Sequence, residues 1–171
     1  MDVLAATNNA HKLAEIKAKL EPLGIRVFSL QEKNISCTPE ETGGTFRDNA
    51  LLKARAIHEI AGILVLADDS GLTVEALHGA PGVYSARYAG EHADDAANNA
   101  RLLAELADIP PGRRQAAFVC ALAFIDDRGE QLFEGHCPGE ILTHMVGEHG
   151  FGYDPLFFLP KIGLSMAELP L

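Results

Sequence analysis

The stretch Ile63-Leu64-Val65-Leu66-Ala67-Asp68-Asp69-Ser70-Gly71 decides how this chain is read. A short apolar run closed by turn-forming residues predicts a strand buried on both faces, the kind found inside α/β sheets. The acids, hydroxyl and glycine that follow have two readings: the mouth of a site at the carboxyl end of a strand, where open α/β sheets bind ligands, or a turn carrying capping acids. Carboxylates are costly to bury unless paired or bound to a metal, so the rest of the chain has to supply their partners.

Upstream, Asp2 to Ala6 is strand-like and runs into Thr7-Asn8-Asn9-Ala10-His11-Lys12. Leu13, Ile16, Leu20 and Leu23 then fall at helical spacing, and Gly24 is a natural stop. Asn9 is the expected N-cap. A strand end feeding a helix N-terminus offers unpaired backbone N–H groups and the positive end of the helix dipole, which suits a phosphate. Lys12 in the first turn costs about 0.3–1 kcal/mol against that dipole. It is either a tolerated surface lysine or a ligand for an anion.

Ile25 to Leu30 reads as a second strand, and Gln31 to Gly44 as an irregular polar segment holding Glu40 and Glu41. Thr45 opens the next helix, about Phe46 to Ala61, with Asp48 three residues on. At about 100° per residue, Lys53 projects near the centre of the stripe made by Phe46, Ala50, Ile57, Ile60 and Ala61, with Asn49 on its flank. Lys53 therefore either snorkels past the core or faces a cleft lined with acids, and Glu40, Glu41, Asp68 and Asp69 are the candidates.

Beyond Gly71, Leu72 to Leu77 alternates as a further strand, and Gly79 to Arg87 is a loop with two turn signals. Asp94 to Ala107 is a surface helix. Gln115 to Ile125 and Glu130 to Gly135 form a hairpin, Pro138 to Thr143 adds a strand, and Leu156 to Leu159 is the last one. Phe151-Gly152-Tyr153-Asp154-Pro155, behind Gly147 and Gly150, reads as a pocket for a planar ring or as an aromatic turn packed on the core.

Composition narrows the partners. With 171 residues, 47 % of them apolar, one domain is expected, with two lobes around one sheet as an option. The net charge of −10 and the lack of a basic stripe argue against nucleic acid polymers. A small phosphorylated ligand needs only a few local cations, and spare carboxylates suit Mg2+. No apolar run is long enough to span a bilayer, and the Met-Asp start carries no secretory signal. Cys37, Cys120 and Cys137 are widely spaced and read as reduced cytoplasmic thiols. His136, His144 and His149 lack metal-ligand spacing.

Four stretches together resemble the family of non-canonical purine nucleoside triphosphate pyrophosphatases, the inosine triphosphate pyrophosphatase family. They are Thr7-x-Asn9-x-x-Lys12; Glu40-Glu41-Thr42-Gly43-x-Thr45-Phe46-x-x-Asn49-Ala50-x-x-Lys53-Ala54; Ala67-Asp68-Asp69-Ser70-Gly71-Leu72 with Gly79 to Tyr88; and Phe151-Gly152-Tyr153-Asp154-Pro155. The resemblance implies a two-lobed α/β fold around a long mixed sheet, with the active site in the cleft, and a homodimer. It implies Mg2+-dependent hydrolysis of dITP, ITP or XTP to the monophosphate and pyrophosphate, which cleanses the nucleotide pool. It implies that Thr7, Asn8, Asn9, Ala10, His11 and Lys12 bind the triphosphate with help from Lys53. Glu40 or Glu41 holds the metal with Asp69, Asp69 accepts the proton from water, Ser70 contacts substrate, and Phe151, Gly152, Tyr153 and Asp154 hold the base. Alternation along a strand lets only one of Asp68 and Asp69 face the metal, and Asp69 is the choice. Family members continue past Ala-Glu-Leu with a lysine and a Ser-His-Arg helix, whereas this sequence stops at Leu169-Pro170-Leu171. Either this sequence omits that segment or the protein lacks part of its pocket, and the second case leaves open a weakened nucleotide-binding dimer as the alternative.

Overall fold

The structure is a computed structural model that describes residues 1–170; Leu171, the last residue of the departing C-terminal stretch, lies outside the described residues. Strands β1 (Asp2–Ala5), β2 (Arg26–Ser29), β3 (Val65–Val74), β4 (Gln115–Asp126), β5 (Gly129–Ile141), β6 (Phe157–Leu159) and β7 (Leu164–Ser165) form one sheet in the order β2-β1-β3-β4-β5-β6-β7. Helices α1 (Ala10–Leu20), α2 (Phe46–Ala61) and α3 (Asp95–Glu105) complete an α/β fold. The sheet is mixed. β1 runs parallel to β2 and β3, with Leu4 opposite Val65 and Ala5 opposite Leu66, while β6 is antiparallel to β5 and β7.

Contacts divide the chain into two compact units, Met1–Asp69 with Cys120–Gly135, and Ser70–Val119 with His136–Leu171. The first buries Val3, Leu4, Ala5, Val65 and Leu66 from its parallel strands, and Ala50, Ala54 and Ile57 from α2. These are the apolar positions that the sequence spaces at strand and helix periods. The second has a core of Leu72, Val74, Leu102, Leu106, Ile141, Leu156 and Phe157. Arg114, only 4 % exposed, donates from its guanidinium to the carbonyls of Leu106, Ile109 and Leu142 at 2.7, 2.7 and 3.1 Å. It thereby satisfies acceptors at the end of α3, where a cation also suits the helix dipole.

Five expectations about elements are corrected. The strand does not stop at Asp68: β3 runs on through Val74, so the acids sit within it rather than at its carboxyl end. Burial resumes with Leu72 and Val74 on the far side, and lysines neutralise the acids between, so a local turn signal yields to ladder pairing. Residues 75–77 turn into a short 3-10 helix instead of extending the strand. Pro138 to Ile141 belong to β5 rather than to an added strand, and the two-residue β7 follows the strand expected to be last. Finally, α3 buries Asn98, Asn99 and Leu102, so it is a surface helix on one side only.

Candidate active site

Asn9 caps α1 as its chemistry requires: its side-chain oxygen accepts from the backbone N–H groups of His11 at 2.9 Å and Lys12 at 3.2 Å. This corrects the expectation of open amides at this helix end, because Asn9 satisfies two of them from within. Thr7 Oγ1 accepts from the Asn9 N–H at 3.2 Å, and Asn8 donates to Thr38 Oγ1 at 3.3 Å. Ala10 and His11 are exposed. A hollow of about 400 Å³ borders Asn8, with Gln31, Asn34, Ser36 and Thr38 on its wall. Among the described residues its lining is uncharged.

The charged cluster lies elsewhere in the same unit. Lys12 Nζ is 2.6 Å from Asp68 Oδ2. Lys53 Nζ, carried by α2, is 3.0 Å from Glu41 Oε1 and 3.4 Å from Asp69 Oδ1. Neighbours on β3 thus meet different lysines, as strand alternation demands. Asp68 and Asp69 are 5 % and 6 % exposed. Of the two glutamates left open by the sequence, Glu41 is half-buried on Lys53 and Glu40 is exposed. Asn49, fully buried, donates from Nδ2 to Asp69 Oδ2 at 3.1 Å and accepts from the Gly43 N–H at 2.7 Å.

Burial is the largest influence on the Asp69 carboxyl and lifts it above the ordinary 3.8; the Glu41 charge adds to this, while Lys53, Asn49 and Lys12 oppose it. For Lys53, burial is again the largest influence and pulls downward, but Asp69, Glu41 and Asp68 together outweigh it and the ammonium is held above 10.5. Two charges 3–4 Å apart attract by about 4–5 kcal/mol at an effective dielectric constant of 20, against several kcal/mol of desolvation per ion. Such a cluster roughly breaks even as a stabilising device. Its arrangement answers to chemistry better than to folding.

Among the described residues no three His, Cys, Asp or Glu side chains form a metal cage. Glu41 and Asp69 nonetheless supply oxygen donors that converge on one cationic atom, the Lys53 Nζ. Mg2+ is held by one or two carboxylates with water and substrate phosphates rather than by an all-protein cage, so this donor set fits it. Sulfur ligation does not: burial pushes the Cys120 thiol up, with the Asp68 charge adding to the effect.

Ser70 and the Phe151–Asp154 loop belong to the second unit. There α3 holds both peptide groups of Gly152: its N–H donates to Asp95 Oδ2 at 2.7 Å and its carbonyl accepts from Asn99 Nδ2 at 2.8 Å. The Phe151 N–H donates to Asp154 Oδ2 at 2.9 Å, and Gly150 beside that oxygen has a φ of +77°, a conformation that favours glycine. Tyr153 is 5 % exposed and donates its hydroxyl to the Ser85 carbonyl at 2.8 Å. Its side chain is an anchor in the core, and Phe151 is the half-buried aromatic of the loop.

Sequence reasoning assigned no role to Asn49, Asp95 or Asn99. Their signals were present, an amide four residues into a helix and a polar pair at i and i+4, but their partners are distant in sequence.

The Ham1 family model matches residues 3–171. The dITP/XTP pyrophosphatase of Desulforamulus reducens is 49 % identical over 172 residues, spanning 100 % of this chain and 86 % of that protein. The dITP/XTP pyrophosphatase of Exiguobacterium sibiricum is 51 % identical over 170 residues, spanning 99 % and 86 %. The solved structure of a HAM1 protein from Coxiella burnetii matches with a TM-score of 0.89 at 39 % identity, over 99 % of this chain and 87 % of that one. With the fold, the motifs and near-complete coverage in agreement, the chain belongs to the Ham1 family.

Proposed function

We propose that this chain is a nucleoside triphosphate pyrophosphatase that hydrolyses dITP, ITP and XTP to the monophosphate and pyrophosphate, clearing non-canonical purines from the nucleotide pool. One observation carries the reading: the buried Asp69 and the half-buried Glu41 converge on Lys53, in a chain about half identical to proteins named dITP/XTP pyrophosphatase.

Phosphoryl chemistry is mostly positioning and neutralisation of charge, and the chain supplies both. Lys12 and Lys53 bind the triphosphate, with Thr7 to His11 shaping the approach to it. Glu41 and Asp69 would hold Mg2+, which would supply neutralisation of phosphate charge and a lowered pKa for bound water. Asp69, kept more basic than an ordinary aspartate chiefly by burial, accepts the proton as water attacks the α-phosphorus and pyrophosphate leaves. Ser70 contacts the substrate. The Phe151 to Asp154 segment holds the base, its backbone fixed by Asp95 and Asn99. A donor aimed at the 6-oxo group of the purine would be left unpaired by adenine, which can discriminate by about 10⁴. The enzyme acts as a cytoplasmic homodimer.

Product analysis tests this reading. With Mg2+, dITP and XTP yield pyrophosphate and monophosphate, and dATP yields little. Orthophosphate as the sole product contradicts it, and binding of dITP without turnover favours a nucleotide-binding dimer instead.

A further inference from the structure

We propose that Asn49 is the positioning residue that locks the Asp69 carboxylate and the segment carrying Glu41 against each other. Both ends of its amide are spent, and on different parts of the chain: Nδ2 donates to Asp69 Oδ2 at 3.1 Å, and Oδ1 accepts from the Gly43 N–H at 2.7 Å. The orientation has one solution, since a backbone N–H can only donate, so the oxygen must face Gly43 and the NH2 must face the carboxylate. That leaves Asp69 Oδ1 turned toward Lys53.

Asn49 has no other evident task. Thr45 already caps α2, its side chain accepting from the Asp48 N–H at 3.1 Å. Asparagine is a mediocre helix former, and burying its amide is costly unless every group is bonded. The approach of Gly43 is tight. A Cβ there would lie 2.6 Å from Asp48 Cβ and 2.7 Å from Asn49 Oδ1, so the 41–43 backbone is pressed onto this side chain. A neutral donor also suits the place, because it fixes the carboxylate without cancelling its charge. Partners that orient metal-ligating carboxylates are typically worth about 10–100-fold in affinity or activity.

The inference rests on the proposed role of Asp69, and two variants separate it from that reading. Asn49→Leu keeps the branched shape, with a larger volume, and loses both bonds. Asn49→Asp keeps the acceptor for Gly43 and loses the donor to Asp69. Activity is counted per folded molecule, by circular dichroism and urea unfolding. With saturating Mg2+ and dITP, kcat of both variants is expected to fall about 10–100-fold, with KM moving less than about threefold, since the phosphate-binding residues are untouched. Without metal or nucleotide, cleavage by a Glu-specific protease after Glu40 or Glu41 should be about 3–10-fold faster in Asn49→Leu, the worth of one buried hydrogen bond. In Asn49→Asp it should stay near wild type. Folded Asn49→Leu with kcat within threefold of wild type overturns the proposal, as does equal protease resistance in Asn49→Leu and wild type. A wild-type chain inactive on dITP instead sinks the functional reading, and the protease comparison then judges Asn49 alone.

Discussion

Lys12 Nζ lies 2.6 Å from Asp68 Oδ2, while Asp69, the next residue on the strand, faces Lys53 at 3.4 Å. Removing one partner of a buried pair strands the other charge. Because the Lys12 side chain is 20 % exposed, the loss expected for Lys12→Met is reduced to about 2–3 kcal/mol. The double variant Lys12→Met with Asp68→Asn should recover most of it. Urea unfolding of the four proteins gives the coupling directly; additive losses would show that the pair contributes nothing.

The raised Asp69 carboxyl carries a pH signature. Its folded value lies above the ordinary 3.8, chiefly through burial. The folded state therefore binds the proton more readily, and stability is lost as pH rises through the folded value. Asp69→Asn removes that loss. In metal-free buffer the variant should melt higher than wild type at pH 7 to 8, with the advantage shrinking as the pH falls toward 4. It should also be inactive. A lower melting temperature at neutral pH would contradict the account.

The Lys53 ammonium is held above 10.5 by Asp69, Glu41 and Asp68 against the pull of burial. The stability it brings is present at neutral pH and fades only as pH rises through that elevated value. Lys53→Met removes the cation that Glu41 and Asp69 share. Millimolar Mg2+ or Mn2+ should then raise the melting temperature of Lys53→Met by more than that of wild type, because binding to the folded state alone stabilises it. Activity should fall at least about 100-fold. An equal metal response in both proteins would remove these carboxylates as the metal's donors.

In the second unit, Arg114 spreads one guanidinium over three carbonyls. Lysine is a point charge on a flexible stem and cannot serve all three. Arg114→Lys should cost about 2–3 kcal/mol, which corresponds to about 2–4 °C of melting temperature per kcal/mol. Thermal unfolding measures it, and an unchanged midpoint would mean that Arg114 does not secure the end of α3.

Much of this was legible in the chain. The spacing of Phe46, Ala50 and Ile57 gave α2 its bounds, Asn9 and Thr45 declared themselves as caps, and Lys53 in the middle of an apolar stripe pointed to an acid partner. Elements failed where a local signal met a long-range one. Asp68-Asp69-Ser70-Gly71 has turn chemistry, yet lysines from α1 and α2 neutralise its acids and the strand passes through. Two of the amides expected to be open at α1 are taken by its own cap, Asn9. Asn49 reaches the Asp69 carboxylate, Asp95 the Gly152 N–H and Arg114 the Leu142 carbonyl, partners far along the chain, and no periodicity reports a partner of that kind.

The proposed hydrolysis depends on Asp69, beside Glu41 and Lys53. The most direct measurement is pyrophosphate released from dITP by wild type and by folded Asp69→Asn, at equal protein and saturating Mg2+. Rapid pyrophosphate release by wild type and none above background by the variant is the predicted result. Equal rates from the two proteins would contradict it.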